Sequence, residues 1–154
     1  MLSIELTIDD AVLQKAVANP QLVAGPVKDF LARVALTVEG AAKEFAPVDT
    51  GRLRASIATT LQPTMAIVRA GVFYAPHVEF GTRPHMPPVA ALQPWARRHG
   101  GISAWALARS IALRGTRPQP FMRPAAEKAA SQMDGFLQQL ASDIEKEWEA
   151  GAHS

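Results

Sequence analysis

The sequence contains no cysteine, and that absence removes disulfide frameworks, thiolate nucleophiles and sulfur-based zinc sites together. The fold must be held by packing alone, or by packing against copies of itself. Long apolar runs are missing too. No stretch approaches the roughly 20 uncharged apolar residues of a membrane helix, which predicts a soluble protein made in the cytoplasm with no membrane partner. The first ten residues place Glu5, Asp9 and Asp10 where a secretion signal needs a basic start and a continuous apolar run, so no signal peptide is read there. Acidic residues are absent from one long internal segment: between Glu79 and Glu127 the chain carries Arg83, Arg97, Arg98, Arg109, Arg114, Arg117 and Arg123 and no carboxylate. The formal net charge of +2 conceals this, because Glu127, Asp134, Asp143, Glu145, Glu147 and Glu149 gather in the C-terminal segment against only Lys128 and Lys146.

What is present is a chain of 154 residues, 48% of them hydrophobic, enough to bury one core, so residues 1–154 are read as a single domain. Leu2, Ile4, Leu6 and Ile8 alternate with polar residues, the period of a strand over 2–8. After a loop containing Asn19 and Pro20, Val27, Phe30, Leu31, Val34, Val38, Ala41 and Phe45 recur at helical spacing. They predict a long amphipathic helix over 26–46, with Pro26 in its first turn and Pro47 as its stop. A turn at 49–54 leads to Ile57, Thr59 and Leu61, which alternate. Gln62-Pro63-Thr64 reads as a hairpin connection to an apolar strand from Met65 to Phe73, and Val78-Glu79-Phe80 as a further short strand.

From Pro87 the character turns helical. Val89, Leu92 and Trp95 share a face that ends at Gly100-Gly101, Ser103 is placed to cap a second short helix, and Gly115 closes it. The segment 115–120, with two prolines and a glycine, is a loop. Pro124 opens a last helix with the stripe Met133, Phe136, Leu137, Leu140, Ile144 and Trp148. The predicted fold class is α+β: a small antiparallel sheet packed against long amphipathic helices, with an inserted pair of short helices over 87–117. No internal repeat and no low-complexity segment is read.

Catalytic chemistry finds little support. His77, His85, His99 and His153 form no pair at helical ligand spacing, and His77 and Glu79 lack an identifiable third ligand. Ser56, Ser103, Ser110 and Ser131 stand outside any nucleophile-elbow pattern. The chain is read as a non-enzyme without cofactor or metal. The arginine-rich span instead fits an acidic partner, either DNA or the acidic surface of a protein, with protein favoured because stacking aromatics are sparse. Trp95 and Trp105 are read as packing residues, and Trp148 as an interface anchor.

Three segments then stand in order: Ala46-Pro47-Val48-Asp49-Thr50-Gly51-Arg52-Leu53-Arg54-Ala55-Ser56-Ile57, Tyr74-Ala75-Pro76-His77-Val78-Glu79-Phe80-Gly81-Thr82, and Pro118-Gln119-Pro120-Phe121-Met122-Arg123-Pro124-Ala125. Together they resemble the tail-component family of long-tailed siphophages, from the first long helix to the last. The resemblance implies a virion structural protein, a tail-completion or neck component that joins tail to head through subunit contacts. It implies partners in the tail terminator, the head-closure protein and the tail tube, a sixfold ring, and residence in the host cytoplasm during assembly and then in the virion. Contact with passing DNA, or outright nucleic-acid binding through 83–123, is the alternative. The motif positions Asp49, Thr50, Gly51, Arg52, Leu53, Tyr74, Glu79, Phe80, Gly81, Thr82, Pro120, Phe121 and Pro124 are expected to build the frame. Gly51 frees the turn, Asp49 or Thr50 caps it, Glu79 pairs with Arg52 or Arg54, and Phe121 anchors the last helix. Arg54, Arg83, Arg97, Arg98, Arg109, Arg114, Arg117 and Trp148 are the expected interface.

Overall fold

A computed structural model of the chain describes residues 2–7 and 20–152. The described elements follow the order β1 (Leu2–Thr7), α1 (Pro20–Phe45), α2 (Arg52–Ala55), β2 (Ile57–Leu61), β3 (Met65–Ala70), α3 (Ala75–Phe80), α4 (Val89–Arg98), α5 (Ala104–Arg114), α6 (Met122–Ala130) and α7 (Met133–Ala152). The three strands form an antiparallel sheet of order β1-β3-β2, so the expected α+β class holds. Leu2 stands opposite Ala70 and Thr7 opposite Met65 on one side of β3, while Ile57 and Leu61 stand opposite Ala70 and Ala66 on the other. Ile8 and Asn19 fall outside the described residues.

The period-2 pattern decides which sheet face is covered. Ile57, Ala66, Val68 and Ala70 are buried and point at α1, and the alanines leave room for that helix to approach. Helix α1 lies between the sheet and the α6–α7 pair, which explains why Leu31, Val34, Ala35, Val38 and Ala42 are all buried, a wider apolar face than a surface helix carries. Ion pairs fix how α6 and α7 lie along it: Lys128 reaches Glu44 at 3.0 Å and Arg33 reaches Asp143 at 2.8 Å. The later the residue in α6–α7, the earlier its neighbour in α1, so the two run antiparallel.

Several elements depart from the sequence reading. Helix α1 starts at Pro20 rather than 26, and Pro26 lies inside it. Burying Val23 and Val27 on the core face offsets the ladder bond that Pro26 cannot donate. Val78-Glu79-Phe80 belong to a helix and not a strand. Pro76 suits the first turn of α3, and Ala75 and Glu79, four apart, are buried together. The turn after Asp49 winds into the single helical turn α2. The third strand ends at Ala70, short of Phe73. The last helix is two helices, because the Ser131 hydroxyl donates back to the Lys128 carbonyl at 2.7 Å, and such local bonds compete with the helical ladder.

The pair of short helices forms as expected. Ser103 accepts a bond from the Ala106 N–H and caps α5, and the Gly100-Gly101 stop adopts left-handed φ. Helices α4 and α5 pack on each other through the buried Ala96 and Ala108, which lie apart from the main core cluster. The pair is a helical hairpin with its own small contact, standing off the body.

Candidate interaction site

The hairpin joins the body at a narrow neck, and the neck is built from a repeat that the sequence reading passed over. Gly81-Thr82-Arg83-Pro84 recurs as Gly115-Thr116-Arg117-Pro118. The two copies cross antiparallel: each threonine donates its N–H to the other's carbonyl at 3.2 Å, and the two hydroxyls bond at 3.1 Å. Both glycines have φ +70, and a Cβ on either would strike the opposite threonine's carbonyl oxygen. The neck therefore begins at residue 82 rather than 87. The repeat of four residues was the signal available.

Glu79 sits directly before this neck and carries the second junction. It is 4% exposed, and its carboxylate accepts the backbone N–H groups of Phe121 and Met122 on Oε2, at 2.7 and 2.9 Å, and of Arg123 on Oε1, at 3.0 Å. A helix begins with four N–H groups that have no partner inside it. In α6 Glu79 takes the first three, and the fourth position is Pro124, which has no N–H. The carboxylate also meets the positive end of the helix dipole. The expected pairing of Glu79 with Arg52 or Arg54 is thus replaced by a cap from 42 residues away, and both arginines are exposed. The sequence held a hint, since Pro120-Phe121-Met122 offers no serine, threonine, aspartate or asparagine at the start of α6.

The three motif segments meet in one core, where Leu53 and Ile57, Ala75, and Phe121 and Ala125 are buried together. Gln119 also donates its N–H to the Val78 carbonyl at 2.8 Å, and Phe121 is fully buried in the core as expected. Gly51 has left-handed φ, +79, as the expected freedom of the turn requires, but the turn leads into α2, and no side chain caps that helix. Asp49 instead reaches across to the hairpin and holds Arg98, whose Nε donates to Oδ1 at 2.9 Å. Arg98 is accordingly clamped to the body and is not an unpaired interface cation. Thr50 is exposed.

Between this frame and the hairpin lies an open cleft of about 550 Å³. Leu53, Tyr74 and Val78 line it from the body, and Leu92, Trp95 and Ile111 from the hairpin. Trp95 stacks on His99 with ring centroids 4.0 Å apart. Arg52, Arg117, His77 and His85 line the same cleft and are exposed, whereas its carboxylate, Asp49, is neutralised by Arg98. Arg54, Arg83, Arg97, Arg109 and Arg114 are exposed, Arg109 lying over the half-exposed Trp105 ring at 5.9 Å, and Trp148 is 54% exposed. Helical placement turns His77 away from buried Glu79. Among the described residues no group of three histidines or carboxylates is placed to share a metal ion, and no helix is long and apolar enough to cross a membrane.

The clamp makes a pH prediction. The Arg98 guanidinium bonded to Asp49 holds that carboxyl below the usual carboxylate range, with His99 contributing. A carboxylate whose folded pKa lies below its unfolded value stabilises the fold fully above the unfolded value, and that stabilisation is lost as pH falls through the folded one. The hairpin should stay clamped at neutral pH and loosen only in acid, below the usual aspartate range. Amide exchange in α4, followed from neutral to acidic pH, checks this; in Asp49→Asn the faster exchange should already be present at neutral pH.

Comparison with protein-family models, with curated proteins and with solved structures returns no match.

Proposed function

We propose that this chain is a virion structural protein of the tail-completion or neck type, joining tail to head by contacts between subunits. The observation that carries the reading is Phe80. It lies inside the second motif, between the capping Glu79 and the neck glycine Gly81, yet it is 69% exposed and gives the fold little packing. A large apolar side chain held outward by a rigid frame on both sides serves a partner. Phe73, 86% exposed on the turn into α3, extends the same kind of surface. By the resemblance, the assembled form is a sixfold ring touching the tail terminator, the head-closure protein and the tail tube, in the host cytoplasm first and then in the virion.

Particles assembled without this chain are expected to accumulate as separate heads and tails. Phe80→Ala should fold normally and give the same defect. Normal numbers of joined particles in either case reject the reading.

A second reading rests on the unpaired cations. Arg83, Arg97, Arg114 and Arg117 are exposed, with no carboxylate at salt-bridge distance among the described residues. Under it the hairpin grips phosphates, and DNA affinity falls steeply with salt. Joining that survives reversal of these arginines while DNA binding is lost would favour this alternative.

A further inference from the structure

The cleft and the end of α7 are complementary surfaces at opposite poles of the molecule. The cleft has an apolar floor of Leu53, Val78, Leu92, Trp95 and Ile111, with Arg52 and Arg117 beside it. Its volume, about 550 Å³, falls within the range of roughly 300–1,000 Å³ that receives well-buried groups. At the other pole the last turns of α7 present Trp148, 54% exposed, flanked by exposed Glu145 and Glu147. A tryptophan outside the core and set among acids is matched by an apolar floor set among cations.

Geometry keeps the two apart within one chain. The cleft adjoins the C-terminal end of α1, where Pro47 and Val48 line it. Asp143 of α7 is pinned to Arg33, twelve residues back along α1, and Trp148 lies five residues beyond Asp143 in the direction away from the cleft. At about 1.5 Å per helical residue the separation is roughly 25 Å. A surface that cannot meet its complement in its own chain meets it in the next, and a contact between two different patches propagates head to tail, closing into a ring when the rotation allows.

We propose that the cleft beneath the hairpin is the socket for the last turns of α7 of a second copy, with Trp148 entering over Leu92 and Trp95 and Glu145 and Glu147 meeting Arg117 and Arg52. This rests on the subunit-contact reading above and names the partner of that site as the chain itself. It also gives the neck and the Asp49–Arg98 clamp a job, since they hold open the wall that the incoming tryptophan needs.

The test is the solution mass of the full chain against concentration, by sedimentation equilibrium. The wild type should self-associate, and Trp148→Ala and Arg117→Glu, both at exposed positions, should each weaken association at least about 30-fold. Mixing the two variants is the decisive arm. Trp148→Ala keeps a working socket and Arg117→Glu a working plug, so together they should form a 1:1 dimer and nothing larger. A wild type that stays monomeric up to about 1 mM overturns the proposal. So do variants that associate like the wild type, or a mixture that gives no dimer. Association unaffected by either substitution, alongside a retained requirement for joining, sinks the socket and leaves the function standing. A confirmed socket in a chain that particles do not require sinks the function alone.

Discussion

Glu79→Ala is expected to lower the stability of the whole domain by about 3–5 kcal/mol, and to do so although it removes no ion pair. The carboxylate is buried and its partners are three main-chain N–H groups. Alanine would leave Phe121, Met122 and Arg123 without acceptors at the start of a helix whose first turn is packed against the core. Hydrogen bonds to a charged group contribute about 1.5–3 kcal/mol each, and they share one side chain here, so the total falls short of their sum. In thermal unfolding the loss corresponds to roughly 6–20 °C for a domain of this size. Glu79→Gln keeps one acceptor oxygen but turns an NH2 toward a donor, so it should recover only part. Glu127→Ala is the control. That residue sits on the exposed side of the same helix, 3.7 Å from Arg123, and its loss should stay within about 0.5 kcal/mol. Denaturant unfolding of the three variants decides the matter, and a Glu79→Ala midpoint near that of Glu127→Ala would mean the cap carries nothing.

Glu79 also marks the boundary of what the chain discloses before it is folded. Local signals were readable where the physical cause is local. Ile57, Thr59 and Leu61 alternate because a strand has period two, and β2 runs over them. Gly100-Gly101 stops α4 and Ser103 caps α5 because both acts involve neighbours in sequence. Phe121 was expected as an anchor through the motif that carries the family resemblance, and not from a local pattern. The partners of Glu79 and Asp49 were not readable, because they stand 42 and 49 residues away and nothing near either residue names them. Val78-Glu79-Phe80 is too short to separate period two from period 3.6, and the burial of Ala75 with Glu79, visible only in the fold, settles it as helix. The cleft needs both junctions to exist, so its lining could not be assembled from spacing, although Arg52 and Arg117 were singled out or noted on other grounds.

The neck allows a sharper experiment, because two causes of damage can be separated there. Gly115→Ala is expected to cost about 3 kcal/mol or more, and to release the hairpin before the body unfolds. Gly115 combines left-handed φ with a backbone contact that a methyl group would occupy, since its Cβ would lie on the Thr82 carbonyl. That carbonyl cannot swing aside without breaking its bond from the Thr116 N–H. Gly100 has nearly the same φ, +80, at the end of α4, with nothing within 4 Å of the added carbon. Gly100→Ala therefore reports the conformational strain alone, about 1–2 kcal/mol. The difference between the two variants isolates the clash at the crossing. Amide exchange adds the spatial information. Gly115→Ala should raise exchange throughout α4 and α5, whose link to the body is the neck and the Asp49–Arg98 clamp, and leave β3 and α1 protected at the level of the weakened global stability. Equal losses in the two variants would show that φ alone matters and that the paired Gly-Thr-Arg-Pro segments slide without cost. A larger loss at Gly115, with exchange confined to the hairpin, would establish the crossing as the hinge that sets the width of the cleft.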